Sequence, residues 1–299
     1  MKMETISKFF EKYLCLLILL VSSSLLAQRP DSINSFSKKK FNIVVVGSSI
    51  AYTSAMIALN SVWYSKADRQ SFHFFNDANE WRQMDKVGHF YSAFQLSSIG
   101  SRMLLWSGVD KKKSDVAGST ASFAIMSSIE VFDGFSSSYG ASFSDLAANT
   151  LGSAFYLGQQ RLWNEVRIYP KYSFHRTGFA PQRPNVLGNG LNEEFLKDYN
   201  GQTYWLSLDA DKFFRFPKWI NFVVGYGAHG MVYATSSANQ SSGFNSYRQY
   251  YVSIDFDLTA IKSKSKFINS LIFFANMIKL PAPALEFSRD GVKAHAFYF

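Results

Sequence analysis

Cysteine is nearly missing from this sequence. The one present, Cys15, stands in Leu14-Cys15-Leu16 inside an apolar leader. A chain processed after that leader has no thiol, and so no disulfide, no thiolate metal site and no cysteine nucleophile. No small residues precede Cys15, so it does not have the form of a lipid-attachment cysteine. Charge is also scarce, at 18% against roughly 25% in ordinary soluble domains. A long, strongly apolar chain is excluded as well. The mean hydropathy is −0.07, whereas a protein spanning a membrane from end to end would be clearly positive. Missing too are a GxSxG elbow, a phosphate loop, a dinucleotide fingerprint, an internal repeat and any nucleic-acid module.

Aromatics, in contrast, are abundant at 17%, with 29 Phe and 16 Tyr among 299 residues. Dense aromatics with sparse charge point to a membrane or its surface. The net charge of +9 is scattered, with runs only at Lys38-Lys39-Lys40 and Lys111-Lys112-Lys113. Such a balance suits an anionic lipid or glycan surface, although short charge runs are commonly just solvated loops.

Lys2, Lys8 and Lys12 precede an uncharged stretch from Tyr13 to Leu26, followed by Ala27. That arrangement reads as a signal peptide over residues 1–27, too short for a membrane span. Export to the cell envelope follows. The periplasm or outer membrane is favoured over the inner membrane, because Lys38 to Lys40 would lie outside, against the positive-inside trend.

Residues 28–40 form a polar lead. Residues 41–165 read as a helical, membrane-associated domain. Its segments are an uncharged one at 41–64, then 84–107, then 114–132, rich in Ala, Ser and Gly, then 144–163, opened by Ser144-Asp145. Ala117, Gly118, Ser122, Ala147, Ala148 and Gly152 allow close helix approach, as in lipid or in a tight soluble bundle. Residues 166–299 read as a β-rich aromatic domain. Pro170, Pro181 and Pro184 mark a connection, and strands follow near 203–209, 219–235 and 247–258. In the last, Tyr250, Val252, Ile254, Phe256 and Leu258 share one face, while Tyr251, Ser253, Asp255 and Asp257 share the other. Residues 267–280 fit a helix or a strand equally well. The closing Phe297-Tyr298-Phe299 is similar to the terminal signal of outer-membrane barrels. About five or six strands, however, fall short of the ~8 of the smallest barrels. The expected architecture is α+β: a bundle of about four apolar helices, then a strongly curved antiparallel sheet with its aromatic face toward lipid or the helices.

Polar pairs punctuate the apolar helices. Asp85 and His89 are four residues apart, with Lys86 beside them; Glu130 and Asp133 are three apart; Asp145 and Asn149 are four apart. Each pair shares a helical face. The first pair opens a helix, the second closes the next, and the third opens the one after. In an antiparallel bundle with short loops, all three would meet at one end. The cluster has three readings. It is a structural network in which Lys86 pairs with Asp133 or Glu130, a site for a lipid or glycan headgroup, or an acid–base site built on His89. A divalent metal could use His89 with carboxylates, but no spacing is a metal signature like HExxH, and no metal or cofactor is expected. His73, His175, His229 and His295 lie outside the cluster.

The order Asp85-Lys86-Val87-Gly88-His89, then Glu130-Val131-Phe132-Asp133, then Asp145-Leu146-Ala147-Ala148-Asn149-Thr150-Leu151-Gly152 resembles the YfiM-like predicted periplasmic lipoproteins. It is more weakly similar to VanZ-like membrane proteins. The resemblance covers roughly residues 80–160. The segment from Lys197 to Ser207 (KDYNGQTYWLS) looks like a longer form of the same family. The resemblance implies an envelope location and no established activity. Membrane lipid and envelope glycan are the expected partners, and nucleic acid is not.

Overall fold

The computed structural model describes residues 35–64 and 68–299. The signal peptide and its cleavage point lie outside the described residues. Helices fill the first half and an antiparallel sheet the second. By their contacts the residues fall into two compact units. One holds the described residues up to Phe75 together with Leu96–Ser142 and Lys262–Leu271. The other holds Asn76–Gln95, Phe143–Ile261 and Ile272–Phe299.

In the first unit, helix α1 spans Lys38–Leu59. The Ser37 hydroxyl caps it by accepting from the Lys40 amide at 3.4 Å. Its 22 residues are long and apolar enough to cross a membrane by length and composition. They rise ~33 Å at 1.5 Å each. Helix α2, Met84–Trp106, contributes its second half to this unit. Helix α3, Lys111–Gly134, starts on Asp110, whose carboxylate accepts from the Lys113 amide. A Cβ on Gly118 would sit 2.5 Å from the Ser101 backbone nitrogen, so only glycine lets α2 and α3 come this close. Asp115 is buried in the same contact, accepting from Ser101 at 2.6 Å and pairing with Lys111 at 2.8 Å. Residues Lys266–Ala275 are helical (α5), which decides the ambiguity of that segment.

In the second unit, helix α4, Phe143–Trp163, packs on the first half of α2. A Cβ on Gly152 would lie 2.2 Å from the Phe90 carbonyl oxygen. Six strands follow: β1 Ile168–Phe174, β2 Gln202–Leu208, β3 Ile220–His229, β4 Tyr247–Phe256, β5 Ala282–Ser288 and β6 Gly291–Tyr298. They form a meander in the order β1-β2-β3-β4-β5-β6, antiparallel throughout. The expectation that Pro170 lies in a connection is corrected, because it sits inside β1 opposite Leu206. An edge strand tolerates a residue that cannot donate to the ladder.

The sheet is rolled. In a flat sheet β1 and β4 would stand ~14 Å apart and β2 and β6 ~19 Å. Yet Lys171 of β1 reaches Asp255 of β4 at 2.6 Å. The Tyr298 hydroxyl of β6 meets Thr203 of β2 at 3.2 Å and Tyr251 of β4 at 2.7 Å. The inside of the roll is polar: Lys171, Ser173, Thr203, Ser207, Asn221, Ser253, Asp255 and Glu286 are buried there among Trp205, Val223 and Tyr251. The apolar positions point outward. Phe222, Val224, Val252, Leu285 and Phe287 are all at least 40% exposed, which reverses the usual partition of a soluble sheet.

Candidate functional site

An unusual turn leads into the site. Trp81, Arg82 and Gln83 all have positive φ, at 45°, 52° and 63°. Three consecutive non-glycine residues in the left-handed region are costly and must be held from outside. Arg82 donates to the Ser246 hydroxyl at 3.1 Å and to the Ser246 carbonyl at 2.8 Å, and its own carbonyl accepts from the Tyr226 hydroxyl. The Trp81 amide donates to the Ala234 carbonyl at 2.7 Å. This turn aims the first residues of α2.

Those residues are Asp85, Lys86 and His89. The Lys86 ammonium is held by three carboxylates: Asp77 at 2.6 Å, Asp85 at 2.9 Å and Asp145 at 2.8 Å. Two of the carboxylates have further support. Ser144 donates to Asp77 at 2.9 Å, and the Tyr199 hydroxyl donates to Asp85 at 2.9 Å. His89 Nδ1 lies 3.0 Å from the Asn149 amide oxygen. Its Nε2 faces Asp85 at 3.8 Å and Asp145 at 4.0 Å. Asp85, His89 and Asp145 thus offer one atom each, all within 4.8 Å of one another, a donor set that a divalent cation can use. The Lys86 ammonium already supplies positive charge to both of those carboxylates.

The electrostatics follow from crowding. Burial alone would lower Lys86, but Asp85 and Asp145 hold its ammonium well above the ordinary lysine range. Burial, then the Asp85 charge, push the Asp145 carboxyl up to about 7, against the pull of His89 and Lys86. Unfolded Asp145 loses its proton near 3.8 and folded Asp145 near 7. Between those values the folded state holds the extra proton, so stability falls as pH rises through the window. Asp145→Asn is expected to flatten that part of the stability–pH curve. Thermal unfolding of both proteins across the window checks this, and parallel curves would contradict it.

A cleft of about 760 Å³ runs from Lys86 between α2, α4 and the sheet. Val87, Phe90, Tyr91, Ala147 and Leu151 form its helical wall, and Tyr204, Leu206, Val224, Tyr250 and Val252 the sheet wall. Pockets of roughly 300–1,000 Å³ that are mostly apolar with a few polar groups are the usual form of a ligand site.

Of the residues expected to converge, Asp85, Lys86, His89, Asp145 and Asn149 come together in the second unit. Glu130 and Asp133 belong to the first. There Glu130 accepts from the Ser142 amide at 3.1 Å, and Asp133 accepts from the Tyr64 hydroxyl at 2.6 Å. The partners of Lys86 in its own unit are Asp77, Asp85 and Asp145. Asp77 and Tyr199 were not anticipated. Both come from irregular segments, where no periodicity marks a buried face. The only sign of them was position, Asp77 shortly before α2 and Tyr199 in the KDYNGQTYW stretch.

Residues 73–159 match the family described as predicted periplasmic lipoprotein, a domain of unknown function numbered 2279. The match covers less than a third of the chain and takes in Asp77, Asp85, Lys86, His89, Asp145 and Asn149. It places the protein among exported proteins of the cell envelope. No curated protein and no solved structure matches the chain.

Proposed function

We propose that this exported envelope protein is membrane-associated and holds an amphiphile of the envelope, a lipid or glycolipid. The apolar part would lie in the aromatic cleft and the polar head beside Lys86. One observation carries the reading: Lys86 belongs both to the cleft wall and to the charged cluster. A ligand lying in the cleft therefore ends at a polar site. The charge balance selects among heads. Three carboxylates surround one ammonium, so a phosphate brought there meets net repulsion. A head bearing hydroxyl or amine groups can instead donate to Asp85 and Asp145.

The test is extraction of bound material from the purified full chain, followed by mass spectrometry. Leu151 and Val224 line opposite walls, and both are more than half exposed. Leu151→Trp with Val224→Trp should fill the cleft without disturbing the core. The expected result is an amphiphile in the wild type and about a tenfold loss of occupancy in the double variant, equivalent to ~1.4 kcal/mol of binding. The reading fails if the wild type carries no such molecule, or if the two proteins carry equal amounts.

A second reading, an enzyme acting on an envelope lipid or glycan, is favoured by the closeness of His89 and Asp145. Asp145 titrating near neutrality suits proton transfer. In that case His89→Ala cells would accumulate an unmodified envelope amphiphile. In the binding reading the same variant leaves the chemistry of the amphiphile unchanged.

A further inference from the structure

The rolled sheet is inverted relative to a soluble one, and its outer face has a graded composition. Along β4, the outward residues are Tyr250, Val252, Ile254 and Phe256. Across the register, Tyr250 lies beside Tyr226 and Phe287, Val252 beside Val224 and Leu285, Ile254 beside Phe222, and Phe256 beside Ile220. No charge appears in these rows. Three rings, Tyr226, Tyr250 and Phe287, share one end; Phe222 and Phe256 stand toward the other; Val224, Val252 and Leu285 form the aliphatic row between. Six residues of strand span ~20 Å, close to the ~25 Å apolar band between the aromatic girdles of membrane barrels.

The loop at the Phe256 end supplies an independent observation. Phe213-Phe214-Arg215-Phe216-Pro217-Lys218-Trp219 alternates rings with cations. Phe214 and Trp219 are about half exposed, at 50% and 56%, and Arg215 and Lys218 are also exposed. Trp219 stacks on Phe256, with ring centroids 6.2 Å apart and planes at 4°, so loop and sheet face are continuous. Exposed rings cost free energy in water, but they are favoured at a headgroup boundary, where basic side chains also reach anionic lipid.

We propose that the outer face of β3–β5 seats in a lipid leaflet, with the loop Phe213–Trp219 lying at the level of anionic headgroups. The occupant is the membrane itself. A protein partner for the apolar rows would leave the interleaved cations of the loop unexplained. The proposal does not rest on the cleft or its ligand: Val224, Tyr226, Tyr250 and Val252 line the cleft, and the part of the face outside it, Phe222, Ile254, Leu285 and Phe287 with the loop, carries the proposal.

The experiment uses the full chain with Cys15→Ser, carrying single cysteines labelled with an environment-sensitive fluorophore. Ile254→Cys and Leu285→Cys, both outside the cleft, report the sheet face, Phe214→Cys the loop, and Ser237→Cys, exposed beyond the opposite end of β3, serves as control. The protein is reconstituted into phosphatidylcholine vesicles with or without phosphatidylglycerol. Quenching by doxyl groups on the acyl chains is compared with quenching by aqueous iodide. Each label reads local contact, so anchoring by α1 does not generate the signal. The expected result is doxyl quenching and loss of iodide quenching at Ile254 and Leu285, with the reverse at Ser237. The Phe214 label should shift to the blue when phosphatidylglycerol is present, and Arg215→Glu with Lys218→Glu should abolish that shift. Iodide access at Ile254 and Leu285 equal to that at Ser237 overturns the proposal. So does protection from both quenchers, which would mean that a protein or a second copy covers the face. A Phe214 label indifferent to phosphatidylglycerol overturns the headgroup assignment of the loop.

Discussion

Replacing Asp255 by alanine is expected to cost about 3–5 kcal/mol of folding stability, the usual result of removing one partner from a buried ion pair. Asp255 and Lys171 are essentially without solvent contact, 2.6 Å apart inside the roll. Ser207 donates to the same carboxylate oxygen at 2.8 Å. Lys171 also donates to the Phe256 carbonyl at 3.2 Å and to Asn276 at 3.0 Å. A second ammonium, Lys279, lies over the Trp205 ring at 4.6 Å and donates to the Leu280 carbonyl. Burial, with Lys171 nearby, pushes Lys279 down to about 8, and Asp255 opposes that shift. Without Asp255, two buried cations face each other with no compensating charge. The double change Asp255→Leu with Lys171→Met should recover most of the loss, because a buried pair replaced by apolar residues of similar volume is often neutral or stabilising. Urea unfolding followed by tryptophan fluorescence measures both effects. An Asp255→Ala protein with unchanged midpoint and slope would mean that the pair is not buried as described.

Lys86→Met is expected to have a comparable effect, again about 3–5 kcal/mol, for the opposite reason. Asp77, Asp85 and Asp145 converge on this ammonium, whose side chain is 12% exposed. Methionine keeps the apolar stem and removes the ammonium that the three carboxylates share. Partial rescue should come from Asp145→Asn, which removes one negative charge from the most buried of the three positions. Rescue should also come from acidic pH, because protonating the carboxylates relieves the same repulsion. If Lys86→Met unfolds at the wild-type midpoint, the cluster contributes nothing to stability, and its arrangement then has to be understood through ligand binding alone.

Much of this architecture is legible in the sequence. Helices in the first half are legible from apolar stretches, small residues and the end signal Ser144-Asp145, whereas the start of α3 on Asp110, ahead of the expected 114, is not. The β4 strand announced itself by strict alternation from Tyr247 onward. Asp85, His89, Asp145 and Asn149 could be brought together because they sit in the first turns of two helices, where connectivity limits the possibilities. Alternation, however, does not say which face of a strand points inward. Asp255 faces the interior because Lys171, far away in sequence, supplies its countercharge, and Ser253 satisfies its hydroxyl there on the Pro283 carbonyl. β1 was obscured by Pro170, a residue that excludes interior strands but not edges. Asp77 and Tyr199 reach the cluster from loops whose paths depend on the left-handed turn at Trp81–Gln83, and a run of three non-glycine residues with positive φ leaves no pattern in sequence.

The bond between Tyr298 and Thr203 joins residues 95 positions apart. A chain delivered N-terminus first across a membrane presents Lys171 and Thr203 long before their partners arrive. During that interval the strands can pair with their neighbours in order, since the meander asks only for local contacts. The interior, however, stays wet and its charges unneutralised. The roll can close only when the last strand arrives, because Tyr298 ties β6 back to β2 and β4. The vulnerable period of this protein's life is accordingly its transit, when apolar strand faces are displayed and the roll is still open. That is when a holdase would protect it and an envelope protease would find it.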